Sequence, residues 1–153
     1  MPTYFFDTSG LVKRYIAEIG TAWVSGIMAP AAGNLLHLAR LTGVEVVSAI
    51  ARRARGGTLS TAHAAAALAR FRADFTIRFQ IEGITVALVT QAMRLAESHA
   101  IRGYDAVQLA AALQVHRRCL ALGQSLTVVS ADAELNAAAV AEGLSVEDPN
   151  SHP

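Results

Sequence analysis

Four carboxylates stand where a side chain could do chemistry. Asp7 closes the apolar run of "TYFFDTSGLVKRY", with Thr8, Ser9 and Gly10 directly behind it. Glu45 lies in "LTGVEVV", Asp105 in "RGYDAVQLA" and Asp132 in "VVSADAEL". Each has an ordinary explanation when taken alone. Asp7 suits a helix N-cap, where a carboxylate accepts the free N–H groups of the first turn. Thr42 and Glu45 have the spacing of a capping box. Asp105 and Asp132 fall in first helical turns, where the helix dipole favours negative charge. The set asks for more. Asp7, Glu45 and Asp132 each follow an expected strand, and in a parallel α/β sheet the carboxyl ends of the strands share one ligand-binding edge. Asp105 shares a helical stripe with Leu109 and Ala112, at i+4 and i+7, and so faces inward. Converging carboxylates repel and cannot all stay ionised without compensation. Arg102, near Asp105, is the one cation beside any of them in sequence. A divalent cation is the natural neutraliser. All-oxygen ligands with no Cys or His cluster favour Mg²⁺ or Mn²⁺ over Zn²⁺. Such an ion with open positions can activate water and stabilise a phosphoryl transition state, which is nuclease chemistry. Ser9 and Ser130 lie two residues from Asp7 and Asp132. Their hydroxyls would orient metal-bound waters or make turn and cap hydrogen bonds.

The elements that must position these residues follow from hydrophobic periodicity. Strands are expected at 3–6, 34–41, 79–84, 125–130 and 144–146. Helices are expected at about 9–17, 21–28, 42–55, 60–77, 85–99, 103–121 and 133–143, with a loop at 29–33. Strands alternating with helices imply an α/β fold: a three-layer sandwich with a short central parallel β-sheet flanked by helices. The chain reads as a single domain over 1–147 with a polar, flexible tail at 148–153.

Of the 153 residues, 53% are hydrophobic and 16% charged, with a net charge of +1. The balance gives no global basic signature for nucleic acid, and the apolar content makes a partner-binding surface plausible. Lys13 is the single lysine beside twelve arginines, and arginine suits bidentate grips on phosphate or carboxylate. The lone Cys119 rules out an internal disulfide and reads as a small core residue. The N-terminus lacks the basic start and long apolar segment of a signal peptide, and no apolar run reaches the ~18 residues of a membrane helix. A cytoplasmic protein is the expectation.

The ordered motifs "FFDTSGLVKRY", "LTGVEVVSAIARRAR", "RGYDAVQLAAAL" and "TVVSADAELNAAAVAEGL" resemble the PIN-domain ribonucleases. Among them the chain looks like the VapC toxins of type II toxin–antitoxin pairs. The match runs from about residue 3 to 146 in the family's order. D-x-S after the first strand and Y-D-A-x-x-L-A-x-A on the late helix are its most specific parts. The resemblance implies Asp7, Glu45, Asp105 and Asp132 as the catalytic, metal-binding acids. It also implies a Mg²⁺- or Mn²⁺-dependent endoribonuclease, a cognate antitoxin as partner and a homodimer. The stretch before Glu45 is less β-branched than is usual for the family's second strand.

Arg52, Arg53 and Arg55 follow the Glu45 helix, with Arg70, Arg72 and Arg78 on or after the next. RNA phosphates, a solvated helix face and antitoxin salt bridges account for them equally well. Tyr15 and Trp23 suit core packing better than base stacking. The histidines show no metal-ligand spacing. Two rival acidic sheet edges fail on sequence. A haloacid-dehalogenase-like phosphatase needs an acid at position 9, where Ser9 stands. A phosphoacceptor receiver domain needs a late lysine, and none follows Lys13. The alternative of another class is a non-catalytic PIN-fold binding module acting through a protein partner.

Overall fold

The apolar runs "TYFF" and "LTVV" lie side by side at the centre of a sheet. A computed structural model describes residues 1–153. In it β1 (Thr3–Phe6) pairs in parallel with β4 (Leu126–Val129), with Phe6 opposite Val129. On its other side β1 pairs with β2 (Leu35–Ala39), followed by β3 (Gln80–Glu82); β5 (Ser145–Glu147) lies beyond β4. The order β3-β2-β1-β4-β5 is parallel throughout. Chain direction across the sheet reverses between β1 and β4. In doubly wound sheets the ligand crevice opens at such a switch point.

Aromatic and β-branched residues form the central strands because these are buried on both faces. Phe5 and Phe6 alternate and are each almost fully buried. Phe6 joins the core built under α1 (Thr8–Leu11), α2 (Thr21–Ile27), α3 (Arg40–Arg55) and α4 (Thr61–Ile77). Phe5 joins the core under α5 (Val86–His99), α6 (Gly103–Ala121) and α7 (Ala133–Ala141). The result is the expected three-layer α/β sandwich.

Two local expectations are corrected. The helix expected over 9–17 breaks into α1 and a 3-10 turn at Val12–Arg14. Gly10 sits so close to β4 that a Cβ there would lie 2.5 Å from the Val129 carbonyl oxygen, so glycine is what lets α1 seat on the strand. The capping box at Thr42 and Glu45 does not form, because α3 starts earlier, with Ala39 as its N-cap. Thr42 is instead buried inside the helix. Residues 148–153 also contact the body of the fold. Asp148 caps a 3-10 turn at Pro149–Ser151, and Asn150 Oδ1 accepts from the buried Lys13 Nζ at 2.9 Å. The His152 ring stacks on Trp23, centroids 4.2 Å apart. Trp23 is thus a docking face for the tail, while Tyr15 packs edge-on against Phe71 as a core residue. Cys119 is buried and free. No helix is long and apolar enough to cross a membrane.

Candidate active site at the carboxyl edge of the sheet

Asp7 is the first residue past β1, and the sheet still holds it: its N–H donates to the Val129 carbonyl at 3.1 Å. Its backbone is extended (φ −75°, ψ 157°) and caps α1, with its carbonyl accepting from the N–H groups of Gly10 and Leu11. The cap reading is therefore correct as far as it goes. The side chain does more than cap. Oδ2 accepts from Ser9 Oγ at 2.5 Å, from Ser130 Oγ at 3.0 Å and, at 3.3 Å, from the Ser9 N–H. Both hydroxyls in turn accept backbone N–H groups of the loop after β4: Ser9 Oγ from Ala131, Ser130 Oγ from Asp132. A hydroxyl has one hydrogen, so each serine is oriented to donate to Asp7. The two serines tie the ends of β1 and β4 together across the switch point.

The other acids arrive from separate elements. Glu45, half-buried on α3, accepts at Oε1 from Thr8 Oγ1 (2.8 Å) and from Gln108 Nε2 (2.9 Å). Asp105 is buried in the first turn of α6. Asp132 is the N-cap of α7, with Oδ1 accepting from the Leu135 N–H at 3.0 Å. The exposed Arg102 joins these two: Nε donates to Asp105 Oδ2 at 3.0 Å and Nη2 to Asp132 Oδ2 at 2.8 Å.

The electrostatics show the crowding. Burial raises the pKa of Asp7, and the nearby charges of Asp105 and Glu45 add to the rise, while the serine hydroxyls oppose it. Burial also raises Asp105, with Asp132 and Glu134 adding and Arg102 opposing. Arg102 is raised in turn by its bond to Asp105 and by the charges of Asp105, Asp132 and Glu134. As the side chains are oriented, no three His, Cys, Asp or Glu groups stand close enough to ligate one ion. Each carboxylate is turned onto a donor within the chain.

The chain has curated relatives. Ribonucleases VapC45 and VapC49 of Mycobacterium tuberculosis are each 36% identical over 115 residues, which is 75% of this chain and 78% of theirs. The chain belongs to the VapC ribonuclease family. No family model matches it. Solved structures share the fold of this VapC chain at low identity. PAE2754 from Pyrobaculum aerophilum superposes with a TM-score of 0.64 at 20% identity, covering 98% of this chain and 91% of its own. FitAcB from Neisseria gonorrhoeae gives 0.64 at 18%, covering 95% and 97%. A toxin–antitoxin complex from Klebsiella pneumoniae gives 0.63 at 18%, also covering 95% and 97%.

The four acids singled out in the sequence thus stand on one edge: Arg102 bridges Asp105 and Asp132, Ser9 and Ser130 hold Asp7, and Gln108 holds Glu45. Arg52, Arg53 and Arg55 do not join them. They occupy the last turn of α3, and Arg52 lies roughly 10 Å along the helix from Glu45 at 1.5 Å per residue. With Gly56 and Thr58 they line an open cleft of about 530 Å³. Arg53 Nη2 is bonded to Glu18 Oε2 at 3.2 Å. Sequence reasoning overlooked Thr8, Gln108 and Glu134. A signal existed for Gln108, three residues after Asp105 and therefore on the same helix face. None existed for Thr8, whose partner is 37 residues away.

Proposed function

We propose that this VapC-family chain is an endoribonuclease toxin of a type II toxin–antitoxin pair, and that it works with Mg²⁺ or Mn²⁺. What supports the reading is that Asp7, Glu45, Asp105 and Asp132, from four separate elements, all stand at the carboxyl edge of a parallel sheet by its switch point. Their donor set fits the ion: hard carboxylate oxygens only, with the pKa of Asp7 raised by burial and by two neighbouring acids. For the four to converge, Asp105 and Asp132 turn away from Arg102, whereas Asp7 and Glu45 each keep one carboxylate oxygen outside the hydrogen bonds described above. These four residues would hold the ion. Once bound, it would supply positive charge at the scissile phosphate and acidify an attacking water.

The chain's own residues do the rest. Ser9 and Ser130 hold the Asp7 carboxylate on the rigid edge and fix where its oxygens lie. Arg102 bridges Asp105 and Asp132, offsetting part of their charge, and has three guanidinium hydrogens unspent for a phosphate. Arg52 and Arg55, outside the acidic edge, would contact the RNA backbone away from the cut.

The partners follow from surface chemistry. Val44, Val47, Phe71 and Phe75, rimmed by Arg40 and Arg72, line an apolar groove of about 480 Å³ between α3 and α4. An amphipathic antitoxin segment with acidic flanks suits it. Val86, Val89 and Met93 form an exposed stripe at i, i+3 and i+7 on α5, which suits a second copy of the chain.

Incubation of purified chain with RNA in Mn²⁺ or in chelator tests the reading, with Asp105→Asn as control. Wild type should cleave only with the ion, and the variant at least a hundredfold more slowly. Equal, ion-independent cleavage by both would refute it. RNA or antitoxin binding without any cleavage would make the chain a binding module instead.

A further inference from the structure

α6 packs on the sheet with small apolar residues. Ala106, Leu109, Ala110, Ala111 and Ala112 are all essentially buried. Among them stands an amide, Gln108, only 1% exposed. Its Nε2 lies 2.8 Å from Thr42 Oγ1, 2.9 Å from Glu45 Oε1 and 3.3 Å from Thr8 Oγ1. Its Oε1 is buried with no donor at all. A buried acceptor without a partner costs stability, and a leucine here would avoid that cost. The amide cannot cure it by turning over. The reversed orientation would set the carbonyl oxygen against a carboxylate oxygen, two acceptors face to face. Glu45 therefore dictates how Gln108 sits.

The converse carries the inference. Nε2 has two hydrogens, and the two short contacts use them on Thr42 and Glu45. Thr8, in the third contact, spends its own hydrogen on Glu45 Oε1. So Oε1 of Glu45 receives one donor from the residue next to Asp7 and one from the helix that carries Asp105. Both bonds fall on Oε1, which leaves Oε2 to meet a ligand. We infer that Gln108 is a positioning residue, whose Nε2–H fixes the Glu45 carboxylate of α3 relative to Asp105, one turn away on α6. Removing it leaves Glu45 held by the Thr8 hydroxyl alone and free to swing about its side-chain torsions. The inference rests on the ribonuclease reading above for its consequence, though not for the contact itself.

Gln108→Met keeps length and volume and removes the donor. The measurements are Mn²⁺ affinity by electron paramagnetic resonance, cleavage rates over RNA concentration, and melting temperature without metal. Outer partners of metal ligands typically carry 10–100-fold in affinity or activity. Gln108→Met should weaken Mn²⁺ binding and lower kcat within that range, with KM for RNA unchanged. In a Glu45→Ala background it should cause no further loss, since a residue acting through Glu45 has nothing left to act on. A merely structural Gln108 predicts the reverse: a lower melting temperature in both backgrounds, with Mn²⁺ affinity untouched. That result would overturn the inference. A second measurement stands apart from function. By NMR the Gln108 side-chain N–H should be slow to exchange in wild type and fast in Glu45→Ala. Should wild type bind no Mn²⁺ and cut nothing, the ribonuclease reading falls, and this exchange result still decides the contact. Fast exchange in wild type would refute it.

Discussion

Replacing Asp7 by asparagine should leave the metal-free protein at least as stable as wild type while abolishing cleavage. The structure supplies the magnitudes. Asp7 is 5% exposed, and its Oδ2 accepts two serine hydroxyls at 2.5 and 3.0 Å. Asparagine keeps an oxygen for both. Each bond weakens from the charged range of about 1.5–3 kcal/mol to the neutral range of about 0.5–1.5 kcal/mol, so roughly 2–3 kcal/mol is lost across the pair. Against this stands the desolvation of a buried carboxylate, several kcal/mol per ion in real proteins. Repulsion from Asp105 and Glu45 adds to it. The folded-state pKa of Asp7 is raised, so the charge-disfavouring effects win. The expected gain at pH 7.5 lies between zero and about 2 kcal/mol. The sign with pH follows. A raised folded pKa means that wild type loses stability as pH climbs from the unfolded carboxylate range through the folded pKa. The advantage of Asp7→Asn should therefore be complete above that pKa and shrink as pH falls through it. Urea melts of both proteins at several pH values between 4 and 7.5 read this difference, and groups not coupled to Asp7 cancel in it. Mn²⁺ should raise the melting temperature of wild type more than that of the variant. If Asp7 were only the cap of α1, Asp7→Asn would change little at any pH, since asparagine caps as well as aspartate, and metal response and cleavage would survive. A pH-independent difference with cleavage intact would refute the reasoning.

Arg102→Gln should tighten Mn²⁺ binding several-fold in calorimetry, because the guanidinium and the ion draw on the same Asp105 and Asp132 carboxylates; weaker binding would instead make Arg102 part of the ion's support. The triple alanine variant at Arg52, Arg53 and Arg55 should flatten the log–log salt dependence of binding to a cleavage-resistant RNA by roughly 1.4, two single-strand contacts, since Arg53 is already tied to Glu18. An unchanged slope would move these residues off the RNA path. Lys13→Met should cost about 2 kcal/mol in urea melts, because it removes the charge-assisted hydrogen bonds that the buried Lys13 ammonium donates to the Ile19 carbonyl and to Asn150 Oδ1. The same variant should alter Trp23 fluorescence as His152 unstacks.

The sequence exposed the acids because strand-to-helix junctions are visible in it. "TYFF" followed by Asp7, and "LTVV" followed by Ser130 and Asp132, mark rigid edges by the abrupt end of an apolar run. The stripe of Asp105 with Leu109 and Ala112 turned that acid inward, and burial agrees. The second strand forms despite its leucines and alanine, because its pairing with β1 and β3 outweighs local propensity. The α3 start was misread for a related reason. Arg40 and Leu41 continue the chain as helix directly off Ala39, so Thr42 and Glu45 sit in the helix and look across to α6 rather than back to a cap.

By itself the sequence determined the order of elements, the parallel sheet, the family and the positions of the four candidate acids at the element junctions. All of these are written in short-range periodicity and in motifs of a few residues. Tertiary structure decided what each acid touches. Thr8 meets Glu45 across 37 residues, Ser130 meets Asp7 across 123, and Gln108 reaches Thr42 across 66. It also brought Asn150 of the polar tail to Lys13, across 137 residues. Hydrogen bonds of this kind leave no periodic trace, because they depend on where two chain segments are brought by the burial of other residues entirely.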